Sequence, residues 1–491
     1  MALPRSVYAN KADDTLRWSS DKELGSLDYF YDQTREGIIL WQLIGDTFLY
    51  RDPKTFAYKP LLATAWSFPN DTTLEMTLRQ GVMFHDGTRM RADDVVATLN
   101  AVIDPKNKVV RASNVDWIQG AEEISEYRVR VHMHKPFPAV LDYLAGPIVV
   151  YPKAYYERVG PDGMNAHPIG TGPYKFVRAT AGKDVQLELN PNYFSGGPKG
   201  KPSIGKISFL MIPDKSTQIA QLLAGEVDWI WQVAADQMEN FKANPAIATA
   251  SGGSLRFGYL GYDVLGRGGK NPFQDARVRR AVAYAIDRQA IVRDLAKGSS
   301  KVIDAACHPA QVGCTTQGVT RYDFDPRKAK ALLSEAGYPQ GFSTDFYAYR
   351  DRPYAEAMIN YLRDVGIIAR LNYVQYPNYL QKTRGGGAPF FFGTWGSEGV
   401  NDVSGSTSYF FEFTPDDTVH DPQVRDALAL GDRTMNTSDR LAAYRAALDR
   451  ISQEAYWLPL FTWSVNYAFT KELNFIAPAD ELPRFFSSTW R

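Results

Sequence analysis

The spacing of apolar and polar residues over positions 78–96 predicts a strand, a tight turn and the start of a helix. Val82 and Phe84 stand two residues apart, which is the spacing of a half-buried strand. Asp86-Gly87 predicts a turn, because glycine accepts a positive φ without steric cost. Apolar residues follow Asp93, which is therefore predicted to cap a helix. The run holds neither a nucleophile nor a set of metal ligands.

Similar patterns predict elements in the rest of the chain. Helices are predicted at 38–43, 219–224, 271–288, from 325 and at 355–365. Strands are predicted at 16–18, 74–78, 129–133, 174–177, 227–229, 257–262, 345–349, 367–371 and 390–392. The alternation of helices and strands in the second half predicts an α/β domain.

Length and charge narrow the class of protein. The 491 residues are enough for two or three domains. Lys and Arg number 55, as do Asp and Glu, and this balance argues against a nucleic-acid partner held by bulk charge. The sequence has no run of 18 apolar residues, so no membrane span is predicted. Aromatic residues make up 13% of the chain and fit either a ring-rich core or a ring-lined cleft.

Motifs of common enzymes are missing from the sequence. It has no G-x-S-x-G, no H-E-x-x-H, no P-loop and no convincing G-x-G-x-x-G. The glycines at 385–387 open no helix, so they are interpreted as a turn. His132 and His134 lie on one side of a predicted strand and could share a metal, although such pairs are more often exposed decoration. We therefore expect no catalytic residues, no cofactor and no metal.

The two cysteines, Cys307 and Cys314, lie in the short run C-H-P-A-Q-V-G-C. A disulfide closing so short a loop would contribute about 2–3 kcal/mol on the chain-entropy model. Two free thiols, or a metal pair with His308, are the alternatives.

Four motifs occur in a set order along the chain: 78–96, then H-P-I-G-T-G-P-Y at 167–174, N-P-N-Y-F at 190–194, and N-P-F-Q-D-A-R-V-R-R-A-V-A-Y-A-I-D-R at 271–288. Together they resemble extracytoplasmic solute-binding protein family 5, the dipeptide, oligopeptide, nickel and opine receptors of ABC importers. The resemblance covers residues 15–485. A matching cysteine pair is familiar in that family, which implies a disulfide and an oxidising periplasm.

The resemblance implies an α/β, two-lobe clamshell of type II, cluster C, with an extra subdomain in the first lobe. The implied segments are 1–50, 166–261 and 464–491 for the first lobe, 51–165 for the extra subdomain, and 262–463 for the second lobe. A hinge is expected near Gly258 and Gly261 and in the stretch after Pro459.

A ligand-binding arginine is predicted just after the strand at 345–349. Dipeptide-binding members of the family have an Arg-Pro-Tyr near this point that holds the peptide carboxylate, and Arg352-Pro353-Tyr354 match it. Arg350 is a rival, and Tyr349 ends the strand. The alternative is a solvated arginine cluster.

The second half of the predicted site is the run G-T-W-G-S-E-G-V-N-D after the strand at 390–392. Dipeptide binders have Gly-Trp-Thr-Gly-Asp here, and that Asp holds the ligand ammonium. Relative to Trp395, Glu398 has the matching offset, whereas Ser397 is the rival structural match beside Gly396. Asp402 is either a fallback anion or a turn cap. The departure from the family motif argues against a plain dipeptide as ligand.

Weaker candidates complete the predicted site. Tyr376 falls where dipeptide binders place a Trp and could stack on the ligand. Tyr29, Tyr31 and Arg35 follow a strand-end turn of the first lobe.

The predicted function is a periplasmic solute-binding protein of an ABC importer, expected to be a monomer. Its partners would be a small peptide-like or amino-acid-conjugate (opine-like) ligand and the importer permease. The alternatives are a family member that binds an oligosaccharide, haem or a nickel chelate, and, more remotely, a hydrolase. The start M-A-L-P-R-S-V-Y-A shows no signal peptide and fits either a mature exported protein or a cytosolic one.

Overall fold

The computed structural model describes residues 9–396 and 399–491. The chain forms two compact units. One comprises the residues up to Gly252 together with Val465–Arg491, and the other is Gly253–Ser464. The first division therefore falls earlier in the chain than the expected boundary at 261.

The helices and strands are numbered in chain order. Those that begin before the first division are α1 (Ala9–Ala12), β1 (Thr15–Ser20), α2 (Arg35–Ile44), β2 (Leu49–Arg51), β3 (Tyr58–Pro60), β4 (Ala63–Asn70), β5 (Thr73–Leu78), α3 (Ala92–Ile103), β6 (Ile118–Ser125), β7 (Arg128–Met133), α4 (Val140–Leu144), α5 (Lys153–Ala166), β8 (Tyr174–Thr180), β9 (Asp184–Leu189), β10 (Lys206–Met211), α6 (Lys215–Ala224), β11 (Trp229–Trp231), α7 (Ala235–Lys242) and β12 (Ile247–Tyr262). The second unit adds α8 (Ala276–Ala285), α9 (Arg288–Ile291), α10 (Pro326–Glu335), β13 (Phe342–Ala348), α11 (Arg352–Asp364), β14 (Ile367–Tyr373), α12 (Tyr376–Arg384), β15 (Phe390–Trp395), α13 (Thr407–Phe411), α14 (Pro422–Arg433), α15 (Thr437–Gln453) and β16 (Trp457–Thr470). The chain ends with β17 (Leu473–Asn474) and β18 (Thr489–Trp490).

Among its described residues, the first unit contains two sheets of three or more strands. In one, β1 lies parallel to β10 and β11, and β10 continues antiparallel through β9 to β8. The other has the order β4-β5-β7-β6 and lies within the range 51–165 expected for an extra subdomain. Trp18 packs against both Phe209 and Trp229, and all three are fully buried, so these strands form the core.

The second unit is built on β12, β13, β14 and β15. β15 runs antiparallel to β12 and parallel to β13, and β13 runs parallel to β14. Stacked rings of Tyr262, Phe273 and Phe390 fill its core. Helices therefore alternate with parallel strands in this unit, as the sequence pattern predicts.

Local predictions agree with most elements and fail at the start of α3. The helix begins at Ala92, so Asp93 lies inside its first turn instead of capping it. Asp94 supplies the carboxylate, which accepts the backbone N–H of Arg91 at 2.9 Å. Val82 and Phe84 are buried as predicted, but their strand is reduced to a single bridge between Met83 and Arg89.

The glycines expected at a hinge lie inside the second unit, where they make room for aromatic rings. A side chain at Gly258 would lie 2.9 Å from the ring of Trp463, and one at Gly261 would lie 2.4 Å from that of Phe391. A hinge at these positions stays a prediction, whereas packing alone accounts for both glycines.

Cys307 and Cys314 form a disulfide, with 5.7 Å between their Cα atoms. The disulfide prediction is confirmed, and the two thiol-based alternatives are wrong. Among the described residues, no helix is both long and apolar enough to cross a bilayer.

Candidate functional site

The candidate site lies at the edge of the second unit where β13 and β15 end. These strands run parallel, with Tyr347 opposite Phe391, so their carboxyl ends meet at one edge. The hydroxyl groups of Tyr349 and Thr394 lie 3.0 Å apart across this edge. The structure thus brings together the two strand ends on which the sequence places its strongest candidates.

Arg350 lies at this edge among aromatic rings. Its guanidinium is 5.6 Å from the centre of the Trp463 ring, and its Nε donates to the Asp351 carboxylate at 2.6 Å. The side chain keeps 36% of its surface exposed. It is therefore a cation on an aromatic platform that solvent still reaches.

Arg352 has a different environment, on the first turn of α11. Its Nε pairs with Glu356, four residues along the helix, at 2.7 Å, and the side chain is 60% exposed. Such (i, i+4) pairs are ordinary features of helix surfaces. Its guanidinium lies 5.9 Å from the centre of the Tyr373 ring at the end of β14, whereas that of Arg350 lies over Trp463.

Tyr354 joins Arg350 on the Trp463 platform. Its ring meets Trp463 edge-on, with 5.4 Å between ring centres. Burial and, to a smaller extent, the charge of Asp351 raise the pKa of Tyr354 to about 12, against a lowering effect of Arg350. The phenol is therefore protonated at neutral pH and can donate a hydrogen bond.

A second group of rings surrounds Tyr349. Tyr376 and Tyr379 lie with their ring centres 4.8 and 4.7 Å from that of Tyr349. Tyr376 is 44% exposed, whereas Tyr379 is buried. Tyr376 is thus open to solvent, and its stacking on a ligand stays a prediction.

Trp395 ends β15, and two aromatic rings contact its indole. It stacks on Tyr409 at 5.2 Å with an interplanar angle of 5°, and Phe410 contacts it edge-on at 5.1 Å. Its Nε1 donates to the carbonyl of Gly405 at 2.8 Å.

Arg256 is a further candidate residue, which the sequence analysis did not name. A methyl group at the buried Gly396 would lie 3.0 Å from Nη2 of Arg256, and Nη1 donates to Thr394 at 3.5 Å. The backbone at 396 thus approaches a guanidinium closely, and a larger residue there would displace the end of the Arg256 side chain. The one signal in the sequence is that Arg256 stands two residues before Gly258 in the same strand, so both residues face the same side of the sheet.

Asp402 is buried and serves the interior. Its carboxylate accepts a hydrogen bond from Nη2 of Arg440 at 2.7 Å. It also caps the following turn by accepting the backbone N–H of Ser404 at 3.0 Å. The side chain is only 4% exposed. The structure therefore matches the turn-cap alternative, and the ligand role of Asp402 loses its support. Ser397 and Glu398 lie outside the described residues.

The first-unit candidates differ in exposure. Tyr29 is buried, with its hydroxyl bonded to the carbonyl of Gly146, so it is a core residue. Tyr31 is half-buried and donates to the carbonyl of Asn107. Arg35 starts α2 and pairs with Glu481 at 3.2 Å.

His132 pairs with Glu122 at 3.3 Å on β7, while His134 falls just beyond that strand. Across residues 9–396 and 399–491, no group of three or more His, Cys, Asp or Glu could hold a metal ion.

The fold has close relatives among solved structures. HbpA2 from Haemophilus parasuis superposes with a TM-score of 0.84 at 23% identity, covering 97% of this chain and 100% of that chain. The PBP AgaA from A. tumefacien R10, in complex with agropinic acid, has a TM-score of 0.75 at 26% identity, covering 97% and 99%. Fold and site together define the class: a mixed α/β, two-lobe solute-binding protein of an ABC importer.

The chain belongs to the bacterial extracellular solute-binding proteins, family 5, whose sequence model matches residues 57–418. The glutathione-binding protein GsiB of Shigella flexneri serotype 5b (strain 8401) is 28% identical over 439 residues, which are 86% of this chain and 84% of GsiB. GsiB of Salmonella typhi is 27% identical over the same length. These relatives are binding proteins and not enzymes, and family members act in the periplasm. The family resemblance is confirmed.

Proposed function

We propose that this chain is a periplasmic, monomeric receptor that binds a short peptide or an opine-like amino-acid conjugate and delivers it to an importer permease. In this proposal the second-unit strand edge holds the ligand carboxylate, and the protein performs no catalysis.

Arg350 carries the proposal. It is a partly exposed guanidinium on the indole of Trp463, beside the protonated phenol of Tyr354. A guanidinium fork binds a carboxylate through two parallel hydrogen bonds. A ligand carboxylate would therefore replace or join Asp351 as the partner of Arg350.

The rest of the site supplies apolar contact and directional groups. Tyr376 and Tyr349 offer ring faces, and the indole of Trp395, at the end of β15, contacts the ligand in this proposal. Arg256 adds a second guanidinium beside Gly396. We propose Ser397 or Glu398 as the partner of the ligand ammonium.

The ligands of the relatives support this class. GsiB is a glutathione-binding protein, and AgaA was solved with agropinic acid. Both molecules carry carboxylates, and neither is a plain dipeptide. That agrees with the departure of this chain from the dipeptide motif after Trp395.

Native mass spectrometry of the purified protein, before and after mild unfolding, tests the ligand class. We expect an added mass that is released on unfolding and fragments as a peptide or an amino-acid conjugate. A released oligosaccharide, haem or nickel–histidine complex would contradict the proposed ligand class while leaving the importer role intact.

An empty protein is tested next by calorimetric titration with S-methylglutathione and agropinic acid, and with maltose and nickel–histidine as competing classes. Binding confined to the last two would also refute the proposal. Turnover of a bound peptide, followed by the appearance of its fragments, would refute the absence of catalysis.

A further inference from the structure

The loop closed by the disulfide lies against the segment that follows the candidate site. This loop, residues 307–314, pairs with residues 399–406 through a parallel bridge between Val312 and Asp402. The Val312 N–H donates to the carbonyl of Asn401 at 3.0 Å, and its carbonyl accepts the N–H of Val403 at 3.0 Å. The two stretches therefore form one hydrogen-bonded layer.

Gln311, near the tip of the loop, is the side chain that joins them most extensively. It is 3% exposed. Its Oε1 accepts the hydroxyl of Ser406 at 3.0 Å and the backbone N–H of His308 at 2.9 Å. Its Nε2 donates to the carbonyl of Asp402 at 3.2 Å. Both ends of the amide are thus engaged, and together they reach both stretches.

The layer reaches the site through the indole of Trp395, whose Nε1 donates to the carbonyl of Gly405 at 2.8 Å. Gly405 precedes Ser406, the partner of Gln311. The position of the Gly405 carbonyl therefore depends on the anchorage of Ser406, and the direction of the indole depends on that carbonyl.

The disulfide restrains the same amide. The N–H of Gln311 donates to the carbonyl of His308 at 2.9 Å, and its carbonyl accepts the N–H of Cys314 at 3.1 Å. Without the covalent closure the loop gains conformational freedom, and the buried amide is held less firmly against its partners.

We propose that Gln311, in the disulfide-closed loop, is a positioning residue that orients the indole of Trp395 and thereby sets the affinity of the site. The effect on affinity rests on the proposed function, in which Trp395 contacts the ligand. The effect on the indole does not, so the two parts fail separately.

The indole is followed by ¹⁹F NMR of protein labelled with 5-fluorotryptophan, in which the Trp395 resonance is assigned as the one lost in Trp395→Phe. The series comprises Gln311→Leu, Ser406→Ala, the double variant Cys307→Ser/Cys314→Ser, and the matched control Gln317→Leu. Gln317 is exposed and lies just outside the loop. S-methylglutathione is the titration probe, because glutathione itself carries a thiol that exchanges with disulfides.

We expect Gln311→Leu, Ser406→Ala and the double variant to shift or broaden the Trp395 resonance, with Gln317→Leu unchanged. Affinity for S-methylglutathione should fall about tenfold in Gln311→Leu, which corresponds to about 1.4 kcal/mol. Ser406→Ala is the mildest change and keeps the test valid if Gln311→Leu does not fold.

An unchanged Trp395 resonance in Gln311→Leu, or in Ser406→Ala if the former does not fold, would overturn the proposal. So would a wild-type affinity in Gln311→Leu when Trp395→Phe binds weakly. A shifted resonance in a protein that binds no peptide-like probe, even as wild type, would support the positioning role and refute the proposed ligand class.

Discussion

At the scale of single residues, one backbone conformation separates the two rival arginines. Asp351, between them, has φ 51° and ψ 51°, the left-handed region that aspartate tolerates better than most residues. The chain therefore turns sharply, leaving Arg350 against Trp463 and sending Arg352 along α11 to Glu356. The tripeptide match at 352–354 could not indicate this, because the sequence does not fix the φ of Asp351.

Gly313 belongs to the same scale. It has φ +89°, and a side chain there would lie 2.3 Å from the buried ring of Tyr444. We expect Gly313→Ala to lower the free energy of unfolding by about 3 kcal/mol, from left-handed strain and overpacking together. The control Gly87→Ala, with φ +85° and nothing within 4 Å, should cost about 1 kcal/mol. Equal losses in urea unfolding would show that the Tyr444 contact is unimportant.

Asp402 provides another single-residue prediction. Asp402→Asn leaves Arg440 as a buried cation without its ion-pair partner, and breaking such a pair costs about 3–5 kcal/mol. We expect urea unfolding to register this loss, whereas Asp323→Asn, in a pair whose aspartate is 86% exposed, should be neutral. If Asp402→Asn kept its stability but lost ligand binding, the internal role assigned to Asp402 would be wrong.

At the scale of elements, two of the sequence motifs contact each other within the first unit. The backbone N–H of His85 donates to the carbonyl of Gly170 at 3.0 Å, and its ring Nε2 lies 3.0 Å from the carbonyl of Gly172. Side chains at either glycine would lie 2.3 Å from backbone carbonyls of α2. The motifs at 78–96 and 167–174 therefore mark the family through its architecture and not through its ligand.

His85 makes this contact between the two motifs sensitive to pH. Burial lowers its pKa from 6.5 to about 4, against a raising effect of the Gly172 hydrogen bond. Between pH 6.5 and about 4, His85 is protonated in the unfolded chain but neutral in the folded protein. The free energy of unfolding therefore decreases as the pH falls from 6.5 towards 4.

Between about pH 7 and about pH 4.5, the free energy of unfolding should fall by about 2 kcal/mol more in the wild type than in His85→Gln. The difference between the two proteins is what matters, because other groups titrate equally in both. Parallel pH profiles would contradict the buried, neutral histidine.

Elements were predictable where burial dictates the residue pattern. The apolar run at 390–392 became the buried strand β15, and the Pro-started helix from 325 became α10 with Asp325 as its cap. The start of α3 was misplaced because Asp93 and Asp94 are equivalent in sequence, and only the structure shows which one reaches back to Arg91.

At the scale of the whole molecule, the two divisions between the compact units fall inside long strands. β12 and β16 each contain one of the divisions, after Gly252 and after Ser464. The order of motifs revealed the family, because it reflects the order of elements. The expected boundary at 463 lies next to the second division, after Ser464, whereas the one at 261 lies later than the first, after Gly252, because β12 is continuous across it. The ligand escaped prediction, because it depends on how side chains such as Arg256 and Arg350 are arranged in space.

Titration calorimetry of the wild type, Arg350→Ala, Arg350→Lys and Arg352→Ala with S-methylglutathione and agropinic acid tests the central claim most directly. We expect Arg350→Ala to bind about 10- to 100-fold more weakly, as loss of a charge-assisted hydrogen bond implies. Arg350→Lys should recover only part of this, because an ammonium lacks the fork. Arg352→Ala should stay within about twofold of the wild type, since its pair is exposed. Wild-type affinity in Arg350→Ala, or a larger loss in Arg352→Ala, would contradict the account.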